Sequence, residues 1–345
     1  MARKSPFQAV FNRPMNPMER ILAGVIVVYV AFVSIINPNF FGPRALFDIL
    51  STGAGLMILA LGALIVLISG GIDISFAAIA VVASYASVRL SMVLEIDNLW
   101  FILGVAIVIG AVLGAINAVI IHFYKLPTLI VTLATASVFH GLMAITLGMK
   151  TYTQTDVPPS MIEFGRWFIY SVDFEDGTRT SLSGYVVITA FVMLLTWFLL
   201  YRTRIGRAVF AVGSNEESAS RIGINIFATR LFVYVYVGVL SALMGVMYWS
   251  RLYYINPDIL YGFIELSILA AVVIGGAKLT GGEGTILGAF LGLIVYQLFT
   301  NTLVYLGLSP SWSQLFFGTV LIGMLIIIYY RQRQANKKAL VFSTM

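Results

Sequence analysis

The amino-acid sequence predicts an all-α integral membrane protein with about ten transmembrane helices, some of them broken by glycine-rich segments. Of its 345 residues, 60% are hydrophobic and only 10% are charged, and the mean hydropathy is +0.96. A soluble domain carries about 25% charged residues, so a soluble protein with an unusually large core does not fit. The apolar residues are also gathered into segments close to the roughly 20 residues that a spanning helix needs.

Ten apolar segments are expected to cross the membrane, at roughly 21–36, 46–69, 76–94, 99–121, 127–148, 184–201, 229–250, 261–275, 284–304 and 312–330. They leave a long loop over 149–183 and a polar loop over 202–228. The membrane domain, 21–330, is then flanked by a basic N-terminal segment over 1–20 and a basic tail over 331–345. The first segment lacks an apolar core followed by a small-residue cleavage site, so no removable signal peptide is expected.

The basic residues predict the orientation. If the N-terminus is cytoplasmic, the cytoplasmic segments carry fifteen of the 21 Lys and Arg residues and the outer segments carry six. The positive-inside rule therefore favours both termini in the cytoplasm, with the 149–183 loop outside. Topology thus accounts for the net charge of +6, and we expect lipids rather than nucleic acid around this chain.

The polar loop is predicted to form a short helix over 215–222. Ser214 is followed three residues later by Glu217, which is the spacing of a capping box. Glu216 and Glu217 would lie at the positive end of the helix dipole. A helix of two turns is not stable alone in water, so it must dock either on the protein's own span ends or on a separate cytoplasmic subunit.

The end of the same helix is also marked in the sequence. Arg221 lies in the predicted last turn, where a cation is favourable, and Gly223 is placed to terminate the helix. Together with Gly213 and Asn215 ahead of it, the stretch 213–223 is a candidate contact for a cytoplasmic partner.

A second candidate site is SGGIDIS, residues 69–75. Gly70 and Gly71 permit backbone geometry that other residues resist, and Ser75 can cap the following helix. Non-helical backbone at membrane depth survives only where it is buried in protein or lines water. Asp73 therefore either caps a helix end or contacts a solute.

GGAKLTGGEG, residues 275–284, repeats the pattern of an apolar run, a Gly-Gly pair and a polar break. Paired interrupted segments can mark a transport site built from broken helices. The alternative is that both are ordinary glycine turns at span ends.

Polar residues inside the predicted spans form a third, weaker set. Asn117, Thr132 and Thr135 offer neutral hydrogen-bonding groups without a fixed charge, as a sugar-like solute would need. Hydrogen bonding between helices is the other role open to them. The small residues over 104–117 predict close helix packing.

The sequence contains no motif for nucleotide hydrolysis, for thiol chemistry or for proton relay. The chain has no Cys, no phosphate-binding loop of the G-x-x-x-x-G-K-[ST] type and no series of buried Asp, Glu and His residues that would relay protons. We therefore expect no ATP hydrolysis, no metal and no cofactor in this chain. A stand-alone secondary transporter or channel for small polar solutes stays open, because a sodium site of backbone carbonyls leaves no sequence pattern.

The chain resembles the membrane permeases of bacterial ATP-binding-cassette importers for ribose, other simple sugars and related solutes. The resemblance covers spans two to ten. It is carried by LISGGIDIS (67–75), LPTLIVTLATAS (126–137), RTRIGRAVFAVGSNEESASRIGIN (202–225), ELSILAAVVIGGAKLTGGEGTILGAFLG (265–292) and GLSPSWSQLFFG (307–318).

The resemblance implies a dimer of permease chains in the bacterial cytoplasmic (inner) membrane, a cytoplasmic ATP-binding subunit and a periplasmic or lipid-tethered solute-binding protein. It also implies that 213–223 is the helix that couples the ATPase to the spans. The sequence departs from the family's pattern at His140-Gly141, where Arg-Gly is common, and at Leu266-Ser267, where Leu-Asp is usual. These departures leave the solute open among the sugars and related compounds that such permeases carry.

Overall fold

The computed structural model describes residues 15–40, 42–174, 177–257, 264–309 and isolated positions between 312 and 326. Over these residues the fold is mostly helical. In chain order the elements are α1 (Pro17–Ile36), α2 (Pro43–Ile68), α3 (Phe76–Val93), α4 (Leu99–Tyr124), α5 (Thr128–Leu147), α6 (Pro159–Gly165), β1 (Phe168–Asp173), β2 (Arg179–Ser183), α7 (Tyr185–Arg202), α8 (Arg204–Ser214), α9 (Glu216–Arg221), α10 (Ile226–Leu252), α11 (Ile264–Ile274) and α12 (Ile286–Asn301).

Seven helices in the described part of the chain are long and apolar enough to cross a membrane: α1 to α5, α7 and α10. Two shorter apolar helices, α11 and α12, have 11 and 16 residues, which is less than the roughly 20 that a full span requires. The tenth predicted span, 312–330, lies largely outside the described residues. The fold is that of a multi-pass helical membrane protein.

Several of these helices start at a residue whose side chain caps the helix N-terminus. Asn98 accepts hydrogen bonds from the Trp100 and Phe101 amides at the start of α4. Asn225 accepts one from Ala228 at the start of α10. Such caps satisfy amides that have no partner within the helix, so these boundaries follow from local sequence.

The core consists of α2, α3 and α10, and α4 packs closely along α10. A Cβ atom on Gly110 would lie 2.3 Å from the Gly238 carbonyl oxygen, and one on Gly114 would lie 2.1 Å from that of Tyr234. The two backbones approach this closely because neither glycine has a side chain. The structure confirms the close packing that the small residues over 104–117 predict.

The 149–183 loop contains an element that the sequence analysis did not anticipate. After the short helix α6, β1 and β2 pair antiparallel, with Ser171 opposite Ser181 and Asp173 opposite Arg179, and with a bulge between Phe168 and Tyr170. The described chain is mostly helical, as predicted, and this hairpin is a small added element of the loop. Its strands have six and five residues, and the bulge interrupts the alternation that would have marked the first of them.

The two glycine-rich segments are non-helical, as the sequence predicts, and they meet at one end of the bundle. Residues 69–75 connect α2 to α3, and residues 275–285 connect α11 to α12. The start of α1 lies at the same end, because Glu19 Oε1 accepts a hydrogen bond of 2.6 Å from the Thr285 hydroxyl. This end of the bundle also carries α8 and α9.

Candidate functional site

The polar loop folds as two consecutive helices, α8 and α9, rather than one. Asn215 caps α9, because its Oδ1 accepts from the Ser218 amide at 2.7 Å. Ser214 is instead the last residue of α8, and its hydroxyl donates to the Phe210 carbonyl at 2.9 Å. The capping box predicted from Ser214 and Glu217 is therefore wrong. Asn is as good a cap as Ser, and its position one residue later shortens the helix to 216–221.

The end of α9 is as predicted. Gly223 has a φ of +85°, and its amide donates to the Ser220 carbonyl while the Ile224 amide donates to that of Ala219. This pair of bonds is a Schellman motif, which requires the left-handed conformation that Gly adopts readily. Arg221 pairs with Glu217 at 2.5 Å on an exposed surface.

Glu216 ties α9 to the bundle. Its Oε2 lies 2.7 Å from Arg230 Nη2 in the first turn of α10, and the Arg230 side chain is only 17% exposed. Arg230 Nη1 also donates to His122 Nδ1 of α4 at 3.4 Å. Sequence reasoning counted Arg230 only as a cytoplasmic charge and did not predict its partners, which lie 14 and 108 residues away.

Three segments meet backbone to backbone beside α9, in what we name the glycine junction: Gly70, Gly213, Gly281 and Gly282, with the carbonyl of Ile68. The Gly282 amide donates to the Ile68 carbonyl at 2.9 Å. A Cβ atom on Gly213 would lie 1.7 Å from that same oxygen, and one on Gly281 would lie 2.7 Å from the Gly70 Cα. Gly70, Gly281 and Gly282 all have positive φ.

The glycine junction joins residues that the sequence analysis placed in separate sites. Gly70 was predicted to border a solute pathway, and Gly213 was predicted to contact a cytoplasmic partner. Their backbones are in van der Waals contact, since a Cβ on Gly70 would lie 3.4 Å from the Gly213 Cα. A movement of Gly213 at the end of α8 would therefore press directly on the end of α2 and on the 275–285 connection.

A polar cavity of about 280 Å³ lies next to the junction. Its lining comes from the 69–71 turn, the starts of α5 and α10, the join between α8 and α9, and the 275–285 segment. The residues are Ser69, Gly70, Gly71, Thr128, Val212, Gly213, Ser214, Asn215, Glu216, Arg230, Tyr234 and Thr280. Gly71 is needed here because a Cβ would lie 3.0 Å from the Tyr234 hydroxyl oxygen.

Beyond the cavity, four of the predicted pathway residues form a buried cluster, which we name the polar column: Asp73, Asn117, Thr132 and Thr135. Asp73 Oδ1 accepts from the Ser75 amide and from the Ser75 hydroxyl, both at 2.6 Å. Asn117 Nδ2 donates to the Ser75 hydroxyl oxygen at 2.7 Å. Ser75 does not cap α3 with its own side chain, contrary to expectation, because its hydroxyl is oriented toward Asp73.

Threonines of α5 hold the 69–75 turn in place. The Ile72 amide donates to Thr128 Oγ1 at 2.8 Å, and the Ile74 amide donates to Thr132 Oγ1 at 3.2 Å. Thr135 donates to the carbonyl of Thr132 in its own helix. Side chains thus satisfy the amides of Ile72 and Ile74, while the amides of residues 69–71 donate to carbonyls of α2.

Two acceptors of the polar column have no hydrogen-bond partner among the described residues. They are Asp73 Oδ2 and Asn117 Oδ1, and both residues are almost completely buried. Buried acceptors of this kind can receive hydrogen bonds from hydroxyl groups. In the part of the chain that the structure describes, no group of three or more His, Cys, Asp or Glu residues is placed to hold a metal ion.

Comparison with known proteins identifies the family. Residues 45–325 match the family described as "Branched-chain amino acid transport system / permease component". The chain is 32% identical over 304 residues to the ribose import permease protein RbsC of Escherichia coli K12, covering 88% of this chain and 91% of that protein. It is 31% identical over 297 residues to RbsC of Haemophilus influenzae, with coverages of 84% and 86%.

A relative that is named for a different solute has a similar sequence identity to this chain. The autoinducer 2 import system permease protein LsrC of Yersinia pestis (strain Pestoides F) is 30% identical over 305 residues, covering 87% of this chain and 82% of that protein. No solved structure matches. The family match and these relatives agree with the multi-pass helical fold, and the chain belongs to this family of membrane permease components.

Proposed function

We propose that this permease moves a sugar or a sugar-like solute into the bacterial cytoplasm as one subunit of an ATP-binding-cassette importer. The relatives are named for the import of ribose and of autoinducer 2. A neutral polyol fits the hydrogen-bonding groups of the polar column, which offers acceptors and hydroxyls without a basic partner for an anion.

The energy for import comes from a separate cytoplasmic ATP-binding subunit, which docks on α8 and α9. The observation that carries this proposal is the glycine junction with the Glu216–Arg230 pair, because they connect the polar loop to the end of α2, to the 275–285 connection and to the start of α10. The coupling residues are then Gly213, Ser214, Asn215, Glu216, Glu217, Arg221 and Gly223.

The topology in this proposal has ten spans with both termini in the cytoplasm. Following α1 to α12 through the bundle leaves the start of α1, the polar loop and both glycine-rich segments at one end. The hairpin of β1 and β2 lies at the other end, outside the cell. The 1–20 and 331–345 segments flank the membrane domain on the cytoplasmic side.

The pathway in this proposal runs beside Gly70, Gly71, Asp73, Asn117, Thr132 and Thr135, and the polar cavity is its cytoplasmic end. Two permease chains, alike or similar, provide one coupling segment for each of two ATPase domains. A periplasmic or lipid-tethered solute-binding protein delivers the solute at the opposite end.

Uptake by proteoliposomes tests the proposal. The permease is reconstituted alone, with its ATPase, or with both the ATPase and the binding protein, and uptake of labelled ribose and of other simple sugars is measured with internal ATP. We expect uptake only with the complete set. Equal uptake by the permease alone would show a stand-alone transporter or channel instead.

A further inference from the structure

Four consecutive apolar residues are exposed at the start of the β-hairpin: Trp167, Phe168, Ile169 and Tyr170. Their exposed fractions are 42%, 47%, 49% and 61%. The bulge between Phe168 and Tyr170 interrupts the regular alternation of faces over this run, and all four side chains are exposed. Such a run is costly in water and therefore needs a covering environment.

The hairpin changes character along its length. Its base, next to Gly184, carries the aromatic run. Its far end carries Asp173 and Arg179, paired at 3.5 Å and both mostly exposed. The Arg44 guanidinium also lies over the Phe174 ring at 4.1 Å. The side chains therefore change from apolar to charged along the axis of the hairpin, from its base to its far end. A strand rises by about 3.3 Å per residue in this direction.

The aromatic base is continuous with a helix that has the length and composition of a membrane span. The Gly184 amide donates to the Trp167 carbonyl at 2.8 Å, and a Cβ on Gly184 would overlap the Trp167 ring. α7 begins at the next residue. Its exposed large side chains are Val187, Phe191, Leu194, Leu195 and Phe198, which fall on one apolar stripe of the helix.

We propose that the hairpin is a membrane-interface anchor, with the 167–170 segment seated in the headgroup and upper acyl region of a phospholipid bilayer. Trp and Tyr are enriched at membrane–water interfaces because their rings are apolar while one polar group reaches water. The charged far end of the hairpin then projects into the aqueous phase. The anchor fixes the depth of α7 at the end of the bundle opposite α8 and α9.

The axial change in character favours a bilayer over a protein partner as the covering environment. A bilayer imposes a change from apolar to polar surroundings along its normal, whereas a protein partner imposes no such axis. The exposed apolar side chains lie at the base of the hairpin, and Asp173 and Arg179 lie at its far end. The start of α2 covers one side of the base, where Tyr170 packs against Phe47 and the Ser183 amide donates to the Ser51 hydroxyl oxygen, and a bilayer would cover the side that remains exposed.

Spin-label accessibility in the naturally Cys-free chain tests the anchor. Ile169→Cys and Tyr170→Cys are labelled separately in the full permease, reconstituted into phosphatidylethanolamine and phosphatidylglycerol vesicles. Accessibility to oxygen, which partitions into lipid, is compared with accessibility to water-soluble nickel ethylenediaminediacetate. Phe191→Cys on the α7 stripe provides the lipid reference, and Asp173→Cys at the far end of the hairpin provides the water reference.

We expect the ratio of oxygen to nickel accessibility at both test positions to exceed the Asp173→Cys ratio severalfold and to approach that of Phe191→Cys. A ratio equal to that of Asp173→Cys would place the segment in water and overturn the proposal. Exclusion of both reagents would overturn it as well, because it would show that protein covers the segment. Both test positions are on the surface, so the substitutions leave the packed core unchanged.

Discussion

Arg230, in the first turn of α10, holds Glu216 of α9 at 2.7 Å, and Arg230 is far more buried than its partner. The buried arginine belongs to the helix bundle, and the more exposed carboxylate belongs to the short helix α9. The ion pair therefore attaches α9 to the bundle. α9 has six residues and cannot be stable alone. We conclude that this pair and the glycine junction are what hold α9 in place.

Arg230→Ala should loosen α9 without unfolding the bundle. A partly exposed pair contributes at most about 1 kcal/mol, so amides of α9 should exchange with deuterium severalfold faster than in the unmodified chain. Arg221→Ala is the matched control, because it removes an ion pair of the same helix that is exposed at both ends. Equal acceleration in the two variants would show that the Arg230 pair has no special role.

Gly213→Ala should abolish transport while the protein still inserts in the membrane. The new Cβ would lie 1.7 Å from the Ile68 carbonyl oxygen, and overpacking of this kind costs about 1–3 kcal/mol. Uptake and thermal stability in detergent are the measurements. Gly141→Ala is the control, because nothing lies within 4 Å of a Cβ there and Ala favours a helix by about 1 kcal/mol over Gly. Normal uptake by Gly213→Ala would contradict a role for the junction.

Asn215→Ala should destabilise α9 by about 1 kcal/mol through loss of its cap, whereas Ser214→Ala should have a much smaller effect. In the part of the chain that the structure describes, the Ser214 hydroxyl donates to the carbonyl of Phe210 in its own helix and accepts from no amide of α9. Hydrogen exchange of α9 in the two variants distinguishes them. A larger effect from Ser214→Ala would restore the capping box that the sequence suggested.

Asp73→Asn and Asp73→Ala separate two roles for this residue. Asn keeps an oxygen that can accept both Ser75 hydrogen bonds, so it should preserve folding and most of the uptake if Asp73 only holds Ser75 at the start of α3. Ala should destabilise by about 1–2 kcal/mol. If Asp73→Asn folds normally but loses uptake, the carboxylate itself contacts the solute.

Asn117→Ala should lower uptake, because it removes the amide that bonds to Ser75 and an acceptor of the polar column. Uptake and co-purification with the ATPase are measured together, and co-purification should be unchanged. Unchanged uptake for alanine variants at Asp73, Asn117, Thr132 and Thr135 would place the solute pathway elsewhere.

Local sequence signals predicted much of this structure. The apolar segments, the breaks at 69–75 and 275–284, the close packing along 104–117 and the end of α9 at Gly223 all depend on residues near one another in the chain. Composition and spacing report such features directly. The cap predicted at Ser214 was wrong because Asn215, one residue later, is an equally good cap.

The contacts between distant segments were not predictable in the same way. Gly70, Gly213 and Gly281 meet only when three connections fold to one end of the bundle, and a glycine carries no signal of its partner. Arg230 and Glu216 are likewise 14 residues apart and in different helices. Gly70 and Gly213 were therefore assigned to two sites, although they are neighbours.

Solute-stimulated ATP hydrolysis by the reconstituted complex tests the coupling role of α9 most directly. In the double variant Glu216→Lys, Glu217→Lys, both carboxylates at the positive end of the helix dipole are reversed and the pair with Arg230 is lost. Glu163→Lys, at the opposite end of the bundle, is the control. We predict that the double variant inserts normally but loses co-purification with the ATPase and solute-stimulated hydrolysis, while the control retains both. Full coupled transport by the double variant would contradict the account and leave α9 as a structural cap on its own bundle.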